Sequence, residues 1–373
     1  MKRSLALAAH EQDNHVFEND SHAVAGNVYR EDKLQAKRQR RLSSPHDDEQ
    51  GTGSPGDELT ILDPLADDDL VDLVLSEVHI NPLNGPAQKD GQNRRKTVFR
   101  LKPESCISGI SPLIIEHEMA TPLSCVGLQV WSGALLLCDY ILSQSDNIFT
   151  PATTVLELGC GTGLVAAVAG RACGRVYATD LDSLGVLELC CRNLELNDVK
   201  DRVKVKQLDL LDNHCPLFKE LDASNDIDQV PILNAADSVP YLWTSADVQD
   251  FMANCTILLA ADIIYEDTVT FALIRRLWTL LSPTTNNQPR ILYLALEKRV
   301  QFSVDEQEVA APARDFFLET LKASNADREE ANVPERIVAK MIDIERIPHM
   351  LHYERTKELE LWSLTLERVE SES

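Results

Sequence analysis

The sequence predicts an α/β fold: a doubly wound, mostly parallel sheet with helices on both faces, preceded by a long polar arm. Three observations predict it. From about residue 106 onward, apolar runs of strand length alternate with segments of helical periodicity. One run, "TILLAADIIY" (256–265), is apolar enough for the middle of a parallel sheet. Another, "VLELGCGTG" (155–163), ends in closely spaced glycines, the kind of turn that joins a buried strand to a helix in such folds.

The elements follow in order. In "VGLQVWSGALLLCDYILSQ", apolar residues at Val126, Val130, Trp131, Ala134, Leu135, Leu137, Cys138, Ile141 and Leu142 recur at helical spacing, so a helix with one buried face precedes the glycine turn. "TTVLEL" then reads as a buried strand, "GLVAAVAGRAC" as a helix and "RVYATD" as the second strand. "SLGVLELCCRNLELN" reads as a helix with Asp182 or Ser183 as its N-cap, and "RVKVKQLD" as the third strand. The rhythm lapses over 212–247, an acidic insertion without clear elements. It resumes with "TILLAADIIY", helix "TFALIRRLWTLL", strand "RILYLAL", helix "APARDFFLETLKAS" and strands "RIVAKMI" and "LELWSLTLER". One domain, 106–373, accounts for all of these.

Residues 1–105 are polar and poor in aromatics, which predicts a mostly disordered arm. Within it, "KLQAKRQRR" (33–41) is a basic run, read either as a nuclear-import or nucleic-acid signal or as a solvated helix. The apolar "LVDLVLSEVHI" (70–80) fits a strand or a helix docked on the core.

Composition narrows the function classes. A net charge of -24 argues against a direct nucleic-acid substrate, and it suits either a basic protein partner or simple solubility. The longest apolar stretches are interrupted by Asp139 and Asp262, short of the roughly 20 residues of a membrane span, so no membrane partner is expected. Nine cysteines without a C-x-x-C spacing predict reduced thiols in the cytoplasm or nucleus, and no clustered ligands predict a metal. His117, His349 and His352 lack triad or metal spacing and read as surface or hydrogen-bonded residues.

The glycines are Gly159, Gly161 and Gly163, in the order G-x-G-x-G, with Cys160 between the first two. A dinucleotide turn needs G-x-G-x-x-G, and a P-loop needs Gly-Lys followed by Ser or Thr; neither is present. The turn suits a ligand without phosphates. Glu157 precedes it inside a buried strand and so needs a partner, and Asp180 closes the next strand.

With these residues the sequence resembles the class I S-adenosylmethionine-dependent methyltransferases, whose first cofactor motif reads "ELGCGTG" and whose second strand ends in a ribose-binding acid. "AADIIYEDTVT" resembles the Asp-x-x-Tyr motif of the protein-lysine methyltransferases in that class, as do "IIEHEMATPL", the Trp131 helix, "LALEKRVQF" and "YERTKELELW". The resemblance covers about residues 110–370.

It implies a seven-stranded, Rossmann-like sheet and S-adenosyl-L-methionine as cofactor. It places Trp131, Glu157, Gly159, Cys160, Gly161, Gly163, Asp180, Asp209, Leu210 and Ala261 against the cofactor, and Asp262 and Tyr265 at the acceptor amine. Asp262 suits an orienting group better than a base, because a carboxylate also stabilises the ammonium form. Tyr265 walls the lysine channel. For Asp262 a helix cap, for Tyr265 a structural rim aromatic, for Trp131 a core position and for Asp209 a loop cap are the structural alternatives. Leu210 departs from the family's Trp and offers the adenine apolar contact without stacking.

The implied function is protein-lysine N-methylation of a basic or nucleic-acid-associated protein, with chaperones among the partners. Glu220, Asp222, Asp226 and Asp228 of the acidic insertion are the candidate contacts to such a substrate. A catalytically weak cofactor-binding adaptor is the second reading.

Overall fold

The chain builds its central sheet from the middle outward and then returns to the middle. The computed structural model describes residues 73–76, 94–102, 111–219, 240–303 and 308–369. These lie in one compact unit, Asp69–Ser373; the other, Met1–Asp68, lies outside the described residues, as do the basic run 33–41 and Glu220, Asp222, Asp226 and Asp228.

The N-terminal part holds β1 (Leu73–Leu75), β2 (Arg94–Phe99), β3 (Leu113–Glu118), β4 (Ala120–Pro122) and a 3-10 turn, Leu123–Leu128. Then come α1 (Ser132–Ser143), β5 (Thr154–Leu158), α2 (Leu164–Ala172), β6 (Arg175–Asp180), α3 (Val186–Leu196) and β7 (Val203–Gln207). After the short α4 (Pro216–Lys219) follow α5 (Ser245–Asn254), β8 (Cys255–Ala261), α6 (Asp267–Leu280) and β9 (Ile291–Glu297). The hairpin β10 (Gln301–Ser303) and β11 (Glu308–Ala310), then α7 (Pro312–Glu330), β12 (Glu335–Ile342) and β13 (Leu359–Arg368) complete the chain.

The seven-stranded sheet has the order β12-β13-β9-β8-β5-β6-β7. Strands β5 to β9 pair in parallel, and β13 runs antiparallel to both β9 and β12. The doubly wound, seven-stranded α/β expectation is borne out. Alternate residues feed the two faces: Val155, Val176 and Leu259 join the core under α1, α2 and α3, while Leu156, Tyr177 and Leu258 join the one under α5, α6 and α7. Strand order reverses between β5 and β8, which opens a crevice beyond their carboxyl ends.

Several expectations need correction. The helix before the glycine turn is broken: Leu123–Leu128 is a 3-10 turn, and α1 starts only at Ser132, with Trp131 at its N-cap in extended conformation. The whole run Leu123–Ser143 is apolar enough to pass for a membrane span, yet 72% of its most apolar stretch is buried inside this fold. The N-cap of α3 is Gly185 (φ 79°), not Asp182 or Ser183, because the chain makes a left-handed turn through Leu184 and Gly185 before the helix begins.

The insertion 212–247 is not wholly irregular, since α5 begins within it at Ser245. Its signal was readable: Thr244 and Asp247 form a reciprocal capping box. Segments inside 1–105 join the fold as well. β1, within the stretch left open between strand and helix, pairs with β4, and β2 pairs with β3.

Candidate functional site

The site is built at the switch point, from the turns that leave β5, β6 and β8. After β5 the chain must bend sharply into α2, and Gly159, Gly161 and Gly163 take φ of 68°, 49° and 79°. Side chains disfavour this region, and here they are also barred by space. A Cβ on Gly163 would lie 2.7 Å from Cys190 Sγ, and one on Gly161 would lie 3.0 Å from the Gly127 carbonyl oxygen. Cys160 is buried, its sulfur 3.7 Å from that of Cys190, so it anchors the turn onto α3.

Asp180 closes β6 and turns back to this loop. Its Oδ2 accepts from the Gly161 amide at 2.8 Å and its Oδ1 from the Leu181 amide at 2.8 Å. Burial raises its pKa, and the two amides oppose that rise. Each oxygen keeps acceptor capacity beyond these bonds.

Glu157, 2% exposed, stands one residue before the end of β5. Burial pushes its carboxyl well above the usual range, the Asp180 charge adds to this, and a bond from the Ala166 amide opposes it. Its Oε2 is buried without a hydrogen-bond partner. A buried carboxylate oxygen left unpaired costs free energy, so it calls for a donor that the described protein does not supply.

Asp262 leaves β8 with φ 51°, a strained conformation for a residue with a side chain. The turn is held because both carboxylate oxygens are used: Oδ2 accepts from the Gly133 amide at 2.7 Å and Oδ1 from the Glu297 amide at 2.9 Å. Burial raises its pKa to about 6 against the pull of those two amides. Asp262 therefore caps a helix, but the helix is α1, 129 residues earlier, rather than the one that follows it. Gly133 is required there, since a Cβ would lie 2.5 Å from Asp262 Oδ2.

The remaining predicted residues fall around this pair. Tyr265 is 41% exposed at the rim; burial and then the charges of Asp180 and Glu266 raise the pKa of its hydroxyl. Trp131 is half-buried, not core: its Nε1 donates to the Val126 carbonyl at 3.0 Å, and the Arg299 guanidinium lies 4.7 Å from its ring centroid. Ala261 ends β8, half-buried. Asp209 Oδ1 accepts from the Leu211 amide at 2.9 Å, a local turn bond. Leu210 packs against the core and its carbonyl accepts from Arg276, so the loop after β7 is pinned to α6.

Sequence reasoning missed Gly127, Gly133, Asn193 and Arg299. Asn193 Nδ2 donates to the carbonyls of Thr162 and Glu116, tying the glycine turn to β3 through α3. Nothing local marks an asparagine within a helix for that task. Gly133, at a helix start after Trp131, was the one with a visible signal. His117 is buried and bonded to Thr97 Oγ1 at 2.8 Å, which puts it among the hydrogen-bonded histidines.

Comparison with known proteins agrees with the resemblance. The chain is 37% identical over 272 residues to methyltransferase-like protein 22 of Mus musculus, covering 71% of this chain and 61% of that protein. It is 37% identical over 262 residues to the Homo sapiens methyltransferase-like protein 22, covering 68% and 58% respectively. To the protein-lysine N-methyltransferase EFM6 of Saccharomyces cerevisiae it is 33% identical over 128 residues, 30% of this chain and 51% of that one. The chain thus spans less than two thirds of the length of these relatives. Residues 110–230, the segment that holds α1, the glycine turn and Asp180, match the family described as lysine methyltransferase.

Proposed function

We propose that this chain is an S-adenosyl-L-methionine-dependent protein-lysine N-methyltransferase acting on a basic or nucleic-acid-associated protein in the nucleus or cytoplasm. One observation carries the reading. Asp180 is fastened to the left-handed glycine turn beside Glu157, whose buried Oε2 has no partner. The residues fit the cofactor. Asp180 has acceptor capacity for a ribose diol, Glu157 lacks the donor that an amino acid ammonium provides, and glycines leave the turn bare for close approach. No phosphate is expected beside the Glu157 and Asp180 carboxylates.

The cofactor, when bound, supplies an electrophilic methyl on a sulfonium. The chain's part is then to deliver a neutral amine in line with it. Carbon–nitrogen bond formation accompanies carbon–sulfur cleavage, and the amine must have lost one proton to water to expose its lone pair. An ordinary lysine, with a pKa near 10.4, is mostly protonated at neutral pH, so orientation and local desolvation are the chain's tools. Asp262, ionised at neutral pH with its pKa at about 6, attracts and orients the amine. Because its two oxygens are already fixed by Gly133 and Glu297, it holds that place without rearranging. Tyr265 at the rim shields the acceptor side.

A cofactor-binding adaptor with weak catalysis is the alternative, favoured by Leu210, which packs into the core where the family carries a Trp. Purified chain, labelled S-adenosyl-L-methionine and a cell extract, followed by mass spectrometry of the modified proteins, separates the two. Methyl-lysine in a protein supports the enzyme. Cofactor binding by calorimetry without any transfer supports the adaptor, and tighter binding of NAD than of S-adenosyl-L-methionine refutes both.

A further inference from the structure

Arg299 is held unlike the other cations that face aromatic rings. Over its ring Arg276 also bonds to carbonyls of the loop after β7, Arg290 to buried backbone carbonyls, Arg355 to Asp139, and Arg328 pairs with Glu335. Lys204, over Tyr177, is bonded to Asp247. Arg299 is exposed and lies 4.7 Å from the Trp131 ring, with no carboxylate pairing it among the described residues. The chain just before it is pinned: the Lys298 amide donates to the Glu358 carbonyl, and its Nζ pairs with Glu360. Arg299 is therefore a side chain on a fixed base, held at its tip by a ring face that another cation can take.

The Trp131 ring is itself fixed, by the bond from its Nε1 to Val126 and by its place at the N-cap of α1. Two residues on, the Gly133 amide is bonded to Asp262, and Asp262 lies within the field of the Arg299 charge. This aromatic and carboxylate pair already attracts one cation. Two cationic groups of an enzyme reaction compete for the description, the sulfonium and the acceptor's ammonium, and strand order separates them. The glycine turn and Asp180 follow β5 and β6, whereas Asp262 and Arg299 follow β8 and β9, on the other side of the switch point.

We propose that the Trp131 face covered by Arg299 receives the ammonium of the acceptor lysine before it loses its proton, and that Arg299 is a built-in cation that withdraws to admit it. This rests on the methyltransferase reading. Arg299 then acts as a filter, since only an acceptor whose cation reaches the Trp131 face and the Asp262 charge together displaces it.

Two measurements test this. In methyl transfer, Arg299→Ala and Arg299→Gln should lower the KM for the protein acceptor about two- to fivefold, the size of one exposed cation–ring contact. Arg299→Lys should stay near wild type, and the calorimetric Kd for S-adenosyl-L-methionine should not change. A raised or unaltered KM in the Ala and Gln variants overturns the proposal; a raised one marks Arg299 as a substrate contact instead. The second needs no turnover. n-Butylammonium, a stand-in for the lysine side chain, is titrated while the Trp131 indole N–H resonance, assigned with Trp131→Phe, is followed by NMR. Saturation at several-fold lower concentration in Arg299→Ala than in wild type supports displacement, and equal or weaker binding in the variant overturns it. Absence of methyl transfer by the wild type sinks the enzyme reading, while the indole titration still decides the role of Arg299.

Discussion

Asp180 and Asp262 are both carboxylates at strand ends with burial-raised pKa values, but they do different work, and substitution separates them. Asp180 is bonded to the glycine turn, the cofactor seat in the proposed function. Asp180→Ala should raise the Kd for S-adenosyl-L-methionine at least a hundredfold by calorimetry, because it removes the diol acceptor and one anchor of Gly161 together. Asp262→Ala would leave the amides of Gly133 and Glu297 unpaired and so confuse folding with catalysis. Asp262→Asn is the milder change, since its carboxamide oxygen still accepts from one of the two amides: cofactor Kd within about threefold of wild type and kcat lower by at least tenfold, an outcome that equal loss of binding in both variants would exclude. The same carboxylate predicts a pH dependence. With its pKa raised to about 6, it loses its charge as pH falls through that value, so kcat/KM should show an acid limb near pH 6 that Asp262→Asn lacks. The stability consequence has the opposite sense. The folded chain holds this proton more tightly than the unfolded chain, so the contribution is largest at low pH and is lost as pH rises between about 4 and about 6. Unfolding midpoints measured across that range, wild type against Asp262→Asn, report it.

At the scale of elements, two long-range polar clamps hold the site's walls. Asp139, fully buried in α1, accepts from the amides of Met350 and Leu351, the Tyr353 hydroxyl and the Arg355 guanidinium. It fastens the helix that carries Trp131 and Gly133 to the segment before β13. Removing one partner of such a cluster leaves a buried guanidinium uncompensated, so Asp139→Ala should cost about 3–5 kcal/mol by denaturant unfolding. A loss under about 1 kcal/mol would show that the cluster does not hold α1. From the sequence Asp139 was visible only as an interruption of an apolar helix. Its four partners lie more than 200 residues later, and no local pattern announces them. The second clamp, Asn193, escaped notice for the same reason. By contrast α5, also missed, was announced within four residues by Thr244 and Asp247; there the acidic surroundings obscured a local rule.

The molecule as a whole carries a net charge of -24, which opposes anionic partners and suits a lysine-rich one. The four acids of the insertion, Glu220, Asp222, Asp226 and Asp228, lie outside the described residues, and the proposal that they contact a protein acceptor rests on their charge. Neutralising all four should raise the KM for the protein acceptor severalfold, more at low salt than at high, with cofactor affinity unchanged. A KM that stays put at both ionic strengths would remove the insertion from substrate recognition.

The sequence by itself determined the seven strands of the central sheet and the helices between them other than α4 and α5, the glycine turn and the acids Glu157 and Asp180 beside it, because periodicity, turn chemistry and a short motif act over neighbouring residues. Only the tertiary structure decided that Asp262 caps α1, that Gly133 must lack a side chain, and that Arg299 covers Trp131. Those facts depend on which strand ends the sheet order brings together. A carboxylate or a guanidinium meets whatever partner the path of the chain delivers, and one-dimensional spacing does not encode that path.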